Sequence, residues 1–360
     1  MFKKFLAVFF AALMVVLVGC GDKEIYNDAV SSNVPSSTET TENNEENTVS
    51  NKENLNGQVN PLTGLAEFED ETKSLQRPLA IMVENTTLAM PGQTGLSKAD
   101  IIYETEVEGG ITRLMAVYQD VSDVEKIGNV RSARYAYIDL ALGHNAIYVH
   151  CGSDPQYARP HLDDIDDIDL GGNYNSKSAD GGQRFELGLS TEHELYAWAG
   201  DLWTSISEKF TITQEKSSLW ADFTDEKITL DDGNATSVSV PFPASTTKFE
   251  YDAESGLYTR YTGTKAHTDY FTGDKTQVKN VFVLLTPMTH YETKVHRKIS
   301  LEGGKGYYIT NGTVQEIKWT KGAWTSGFVF TDLSGEEIQV SAGNSWVCIA
   351  DSSSCKPEIK

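Results

Sequence analysis

Residues 101–107, Ile-Ile-Tyr-Glu-Thr-Glu-Val, followed by Glu108-Gly109-Gly110 and by Ile111-Thr112-Arg113-Leu114-Met115-Ala116-Val117-Tyr118, decide how this chain folds. Ile101, Tyr103, Thr105 and Val107 alternate with Ile102, Glu104 and Glu106, which is the period of a strand. Gly109-Gly110 offers a two-residue turn and the apolar run after it offers the returning strand, so the stretch predicts a hairpin. A tight turn would set Glu106 across from Arg113, Glu104 from Met115 and Tyr103 from Ala116, with both carboxylates and Arg113 on one side.

Working outward, Leu79–Val83 reads as a buried strand. Val130-Arg131-Ser132-Ala133-Arg134 reads as a helix start, with Ser132 as N-cap of a helix from Ala133 to about Leu142 and Gly143 as its stop. Ile147–Cys151 is the next strand, and strand, helix, strand signals a parallel crossover. Thr191-x-x-Glu194 is a capping box ahead of Leu195, Trp198, Leu202 and Ile206, so a second helix is predicted there. After Asp231-Asp232-Gly233-Asn234 the segments become short, aromatic and β-branched, punctuated by Glu254-Ser255-Gly256 and Asn311-Gly312. The predicted fold class is an α/β amino-terminal domain, a mixed sheet with helices, at residues 60–231, followed by a β-rich carboxyl-terminal domain at 232–355.

The ends of the chain give an address. Lys3 and Lys4 precede the uncharged run Phe5–Val18, too short to span a bilayer comfortably, which reads as a signal peptide over residues 1–19. Leu17-Val18-Gly19-Cys20 looks like a lipobox, in which cleavage precedes Cys20 and its sulfur carries a diacylglycerol with palmitate-type chains. Residues 20–59, rich in Ser, Thr, Asn and Glu, cannot bury a core and read as an acidic tether reaching roughly 35 Å. The expected location is the outer face of the cell membrane, with the lipid bilayer as a partner through Cys20.

The formal charge is −22, two units more negative once Lys3 and Lys4 leave with the signal, which disfavours nucleic acid as a partner. Cys151, Cys348 and Cys355 carry no Cys/His ligand spacing, so no metal and no cofactor is implied; Cys348 and Cys355 are close enough in sequence to close a small disulfide loop. The acidic run Leu162–Asp169 lacks the order of a calcium loop and reads as a solvated helical turn.

Chemistry concentrates in two places. Arg131, Ser132 and Arg134 surround a helix start that welcomes an anion, joined by Arg113 from the hairpin; the anion is either a ligand's or the chain's own Glu104 or Glu106. Glu104 and Glu106 themselves lie about 6.5–7 Å apart along a strand, near the spacing used in sugar hydrolysis, but project in the same direction. His150 cannot activate Cys151, because neighbours on a strand face opposite ways; it and His193 are the histidines to watch for proton transfer in a cleft. Trp319, Trp324 and Trp346 are either core residues or sugar platforms.

Several of these stretches together resemble a known family. Pro61-Leu62-Thr63-Gly64, Arg77-Pro78-Leu79-Ala80, Gly95–Ile101, Glu108–Arg113 and Val130–Arg134 are similar to the first domain of the YerB-like lipoproteins of Gram-positive bacteria. His267-Thr268-Asp269, Asn280–Val283 and Ser345-Trp346-Val347 resemble the second. The resemblance spans about Asn60 to Ile349 and implies a surface lipoprotein with two domains of unknown function, and no reaction. Asn129 stands where the family usually has Pro, and Thr191–Tyr196 departs from its Pro-His-Asn-x-Tyr run, so no role carries over to His193. The sequence therefore supports a membrane-anchored lipoprotein binding a polar or anionic cell-envelope ligand or a protein partner, with a peptidoglycan hydrolase or transferase using Glu104 and Glu106 as the alternative.

Overall fold

The structure, a computed structural model, describes residues 58–69, 71–172 and 175–360. The signal peptide, Cys20 and the tether up to residue 57 lie outside the described residues. In the first half the strands are β1 (Leu79–Glu84), β2 (Ile101–Glu106), β3 (Thr112–Tyr118), β4 (Lys126–Gly128), β5 (Ile147–His150), β6 (Asp167–Asp169), β7 (Gly182–Arg184) and β8 (Leu195–Trp198). Helix α1 (Tyr135–Gly143) lies between β4 and β5, and α2 (Ala199–Lys209) follows β8. The second half contributes chiefly β9 (Ser237–Pro241), β10 (Thr246–Asp252), β11 (Leu257–Thr262), β12 (Asn280–Thr286), β13 (Met288–His290), β14 (Arg297–Ile299), β15 (Gly303–Thr310), β16 (Thr313–Thr320) and β17 (Ser345–Asp351).

One 11-stranded sheet runs through both halves, in the order Gly233–Asn234, β16, β15, β12, β17, β2, β3, β1, β5, β6, with Val329–Thr331 added beside β16. The late strand β17 lies between β2 and β12 and is parallel to both, Ile101 and Asn280 each facing Ser345. The composition shift at 231–234 thus falls at the outer edge of a shared sheet, where Gly233 pairs with Val314. Every residue of β1, β2, β3 and β17 is buried, which is why these strands are nearly continuous in apolar residues.

Two cores cover the sheet. Ile81, Val83, Ile102, Leu114 and Trp346 pack on one face with α2 through Leu202 and Ile206, and with β9–β11 through Val238, Phe249 and Tyr258. Ala80, Met82, Tyr103, Met115, Phe282 and Val347 pack on the other, against Tyr137, Ile138 and Leu140 of α1. The first half contributes both parallel and antiparallel pairs, β1 being parallel to β5 and antiparallel to β3, so the sheet strands before and after α1, β3 and β5, run antiparallel and the expected parallel crossover does not form. Helix is scarcer than an α/β reading implies: α1 and α2, of 9 and 11 residues, are the α-helices among the described residues, and the chain is mostly β.

Five local expectations fail, the first three for identifiable reasons. The β2–β3 connection is a three-residue loop, closed by the Val107 N–H donating to Ile111 O, so Tyr103 faces Met115, Glu104 faces Leu114 and Glu106 faces Thr112. A shift of one residue moves a side chain to the other face, and it parts Arg113 from Glu104. Gly110 has positive φ and an added Cβ would meet Pro243 at 2.8 Å, which fixes this loop under the second half. Ser132 caps no helix, since residues 130–133 are extended between β1 and β5: Arg131 N–H donates to Met82 O, Cys151 N–H to Arg131 O and Ala133 N–H to Gly152 O. Leu195–Trp198 forms β8, between β4 and β7, so the second helix begins at Ala199 instead of at the Thr191 box. Cys348 and Cys355 are free and buried, and the acidic run splits into a 3-10 turn, Arg159–Asp164, and β6.

The two halves are pinned by Glu104, which has no solvent exposure. Its Oε1 accepts from Asn85 Nδ2 at 2.9 Å, Thr112 Oγ1 at 2.8 Å and Thr247 Oγ1 at 2.8 Å. Its Oε2 accepts from Trp346 Nε1 at 3.0 Å. Asn85 Oδ1 in turn accepts from Arg260 Nη2 at 2.6 Å, and that guanidinium lies 4.7 Å from the Trp346 ring centre. Glu104 and Arg260 are thus a buried pair of opposite charge bridged by an amide. Removing one member of such a pair strands the other. Glu104→Ala is expected to lower unfolding free energy by about 3–5 kcal/mol, with Glu104→Gln costing less, in denaturant titrations followed by circular dichroism. A loss below about 1 kcal/mol for the alanine variant would contradict this role.

Candidate functional site

The arginine corner is real, but its carboxylates are not Glu104 and Glu106. Arg131 Nε pairs with Glu84, and its guanidinium also lies 3.4 Å from Glu192 Oε2. Arg134 grips Glu108 with two bonds, Nε to Oε1 at 2.6 Å and Nη2 to Oε2 at 2.9 Å. Arg113, on the α1 face of β3, donates to Ser132 O at 2.9 Å. Burial, reinforced by the like charge of Arg134, pulls its guanidinium down to about 10. Burial works to raise the Glu108 carboxyl, but the Arg134 fork outweighs it and holds the group below its usual range. Each guanidinium is thus already met by groups of the chain.

The remaining candidates separate. Glu106 ends at Arg297, 3.0 Å away, and burial raises its carboxyl despite that partner. Because Glu104 is sealed in the core and Glu106 sits at the strand end, the two do not form a catalytic pair. His150 does not face a cleft: it is fully buried, with Nδ1 on Gly152 O at 2.8 Å and Nε2 on Asp167 at 3.0 Å. The Cys151 thiol is raised by burial, which suits a structural cysteine. His193 closes the 3-10 turn Thr191–His193, buried, with Glu84 and Glu192 each 3.8 Å from a ring nitrogen. Among the described residues no His, Cys, Asp and Glu gather as metal ligands.

A cavity lies elsewhere on the α1 face, with walls from both halves. It has a volume of about 670 Å³ and is bounded by α1, the loop 156–161, the β13–β14 hairpin and the loop 321–324. Tyr157 and Tyr291 stack across the junction, ring centres 3.9 Å apart and 16° from parallel, and Tyr135 packs edge-on to His161 at 4.7 Å. Trp324 is 42% exposed, whereas Trp319 and Trp346 are core residues. Asp139 and Lys321 also line the cavity. Burial, opposed by Lys321 and His161, pushes the Asp139 carboxyl up to about 6, and burial draws the Lys321 amine down to about 8. Asp139 Oδ1 is buried with no hydrogen-bond partner.

A narrow constriction adjoins this cavity, sharing Tyr135, Tyr157 and Tyr291 as walls and lined by Glu106, Glu108, Arg134, Asp154, His296 and Arg297. Glu106 and Arg134 therefore stand at the edge of the cleft, while Arg131, Ser132 and Glu104 do not line it. The sequence reading missed Tyr157, Tyr291 and Lys321. Trp324 carried the clearest signal, an aromatic between Gly322 and Gly327 where no strand alternation asks for one.

A mostly β chain whose halves share one sheet and one cleft has recognisable relatives. Residues 62–211 match the family described as "Protein of unknown function (DUF3048) N-terminal domain", and residues 238–347 match its C-terminal domain. The chain is 29% identical over 296 residues to "Putative lipoprotein YerB" of Bacillus subtilis (strain 168), covering 80% of this chain and 85% of that one. A crystal structure of YerB protein from Bacillus subtilis superposes with a TM-score of 0.69 at 26% identity, covering 83% of this chain and 99% of that one. The chain belongs to this YerB-like family of two domains of unknown function.

The cleft floor has a pH signature. The folded Asp139 carboxyl binds its proton more tightly than the unfolded group near 3.8, so its contribution is most favourable below about pH 4 and is lost as pH rises through about 6. Asp139→Asn is expected to be more stable than the parent by about 1–3 kcal/mol at pH 8, the difference vanishing towards pH 4. Thermal unfolding across that range checks it; a variant less stable at pH 8 would show that the charged form is needed.

Proposed function

We propose that this chain is an extracytoplasmic lipoprotein, anchored through Cys20, that binds a polar cell-envelope ligand in the cleft between α1 and the β13–β14 hairpin. The observation that carries the reading is the cleft itself, a cavity of about 670 Å³ with aromatic walls and with Asp139 and Lys321 in its lining. Aromatic walls with a few placed polar groups are the ordinary makeup of ligand sites. The anchor rests on the lipobox and on the name borne by the Bacillus relative. Hydrolysis through Glu104 and Glu106 is the weaker reading, because acid and base must flank one bond and Glu104 has no access to one.

Cys20→Ser is expected to abolish incorporation of labelled palmitate into the protein, and an unlabelled parent or an equally labelled variant would refute the anchor. Full-length protein in detergent micelles is expected to sediment with purified cell walls. Tyr291→Ala, which opens the Tyr157 stack, should weaken that association roughly tenfold; equal sedimentation of the two would remove the cleft from the account.

A further inference from the structure

Resting on the binding reading above, we propose that the cleft is a saccharide groove that takes a chain of pyranose rings, stacked on Trp324 and on the Tyr157–Tyr291 pair over a polar floor of Asp139 and Lys321. A pyranose has an apolar face of C–H bonds and an edge of hydroxyls. Flat aromatic faces suit the first, and a fixed carboxyl and amine suit the second.

The floor distinguishes this ligand class from others. Asp139 lines the cavity, but its Oδ1 has almost no accessible surface, so it is the rest of the carboxyl that a sugar hydroxyl or acetamido N–H meets as a neutral donor. Lys321 is held by donating to the Trp324 carbonyl, so one residue serves as both platform and amine anchor. An apolar ligand would bury these groups without partners. A strongly anionic one would meet Asp139 and Glu302 in the same cavity.

The groove also has the length for more than one ring. Loop 321–329 separates the main cavity, lined by its Lys321, Gly322 and Trp324, from a second of about 450 Å³, lined by its Thr325–Val329. Tyr135 and Asp139 border the first cavity and Leu142, Gly143 and His144 the second, so the two succeed one another along α1. A polymer lying along the helix would cross the Trp324 loop and occupy both, where a monosaccharide fills one.

Calorimetric titration of the full chain in micelles with N-acetylglucosamine and with its tetramer tests this, with the glucose tetramer as a third probe. The tetramer of N-acetylglucosamine is expected to bind at least about tenfold more tightly than the monomer. Trp324→Ala, at an exposed position, should weaken the tetramer about tenfold while leaving the circular dichroism unchanged. Binding of the glucose tetramer with equal affinity would support a saccharide groove that reads ring faces more than acetamido groups. Equal tetramer affinity in parent and Trp324→Ala would overturn the assignment. Silence with every oligosaccharide while the chain still sediments with cell walls would overturn it and leave the envelope reading standing; silence in both assays would remove both.

Discussion

A single carboxylate, Glu104, holds the architecture together. It is deprived of water entirely, and its two oxygens are satisfied by Asn85 and Thr112 from the first half and by Thr247 and Trp346 from the second. Neither half alone could bury it at acceptable cost, because an ion without its full set of partners is among the most destabilising things a core can contain. The same requirement brings β17 against β2, and the shared sheet that results places α1 of the first half beside the β13–β14 hairpin of the second. The cleft is a consequence of that placement.

The ions around the cleft act mainly as braces. Arg134 ties α1's start to the β2–β3 loop through Glu108. Arg297 ties β14 to the ends of β2 and β17 through Glu106 and Asp351. His296, next to Arg297, approaches both Glu108 and Asp154, 3.7 and 3.5 Å away, so the turn end of the hairpin is fastened twice. Fixed walls are what a site built on aromatic faces needs, since stacking is lost with small displacements.

What the sequence made legible was local. β1, β2 and β5 could be placed because runs such as Leu79–Val83 and the alternation of 101–107 are properties of a few neighbouring residues. The register of the hairpin was not legible: Gly109-Gly110 suits a two-residue turn, yet Glu108 joins the loop to reach Arg134 and to let Gly110 pass under Pro243, and one residue reverses every facing. Ser132 misled for a related reason. The backbone of 130–133 is worth more as a hydrogen-bonded wedge between β1 and β5 than as a first helical turn, a preference that only the splayed strands create. The place of β17 and the meeting of Tyr157 with Tyr291 join residues over a hundred positions apart, which no local pattern encodes. Arg131 and Arg134 find their carboxylates in Glu84 and Glu108, neighbours that no strand alternation displays, and the two-residue register alone placed Glu106 across from Arg113.

Native-state hydrogen exchange tests the central claim most directly, that one buried carboxylate makes the two halves a single cooperative unit. Amides of 101–106, in the first half, and of 345–351 and 280–286, in the second, should exchange only through global unfolding, with one common free energy. In Glu104→Ala that free energy should fall by the same amount in all three segments. Contradiction would take the form of segments 280–286 and 345–351 exchanging independently of 101–106, in the parent or in the variant, which would make the halves separate domains that merely touch.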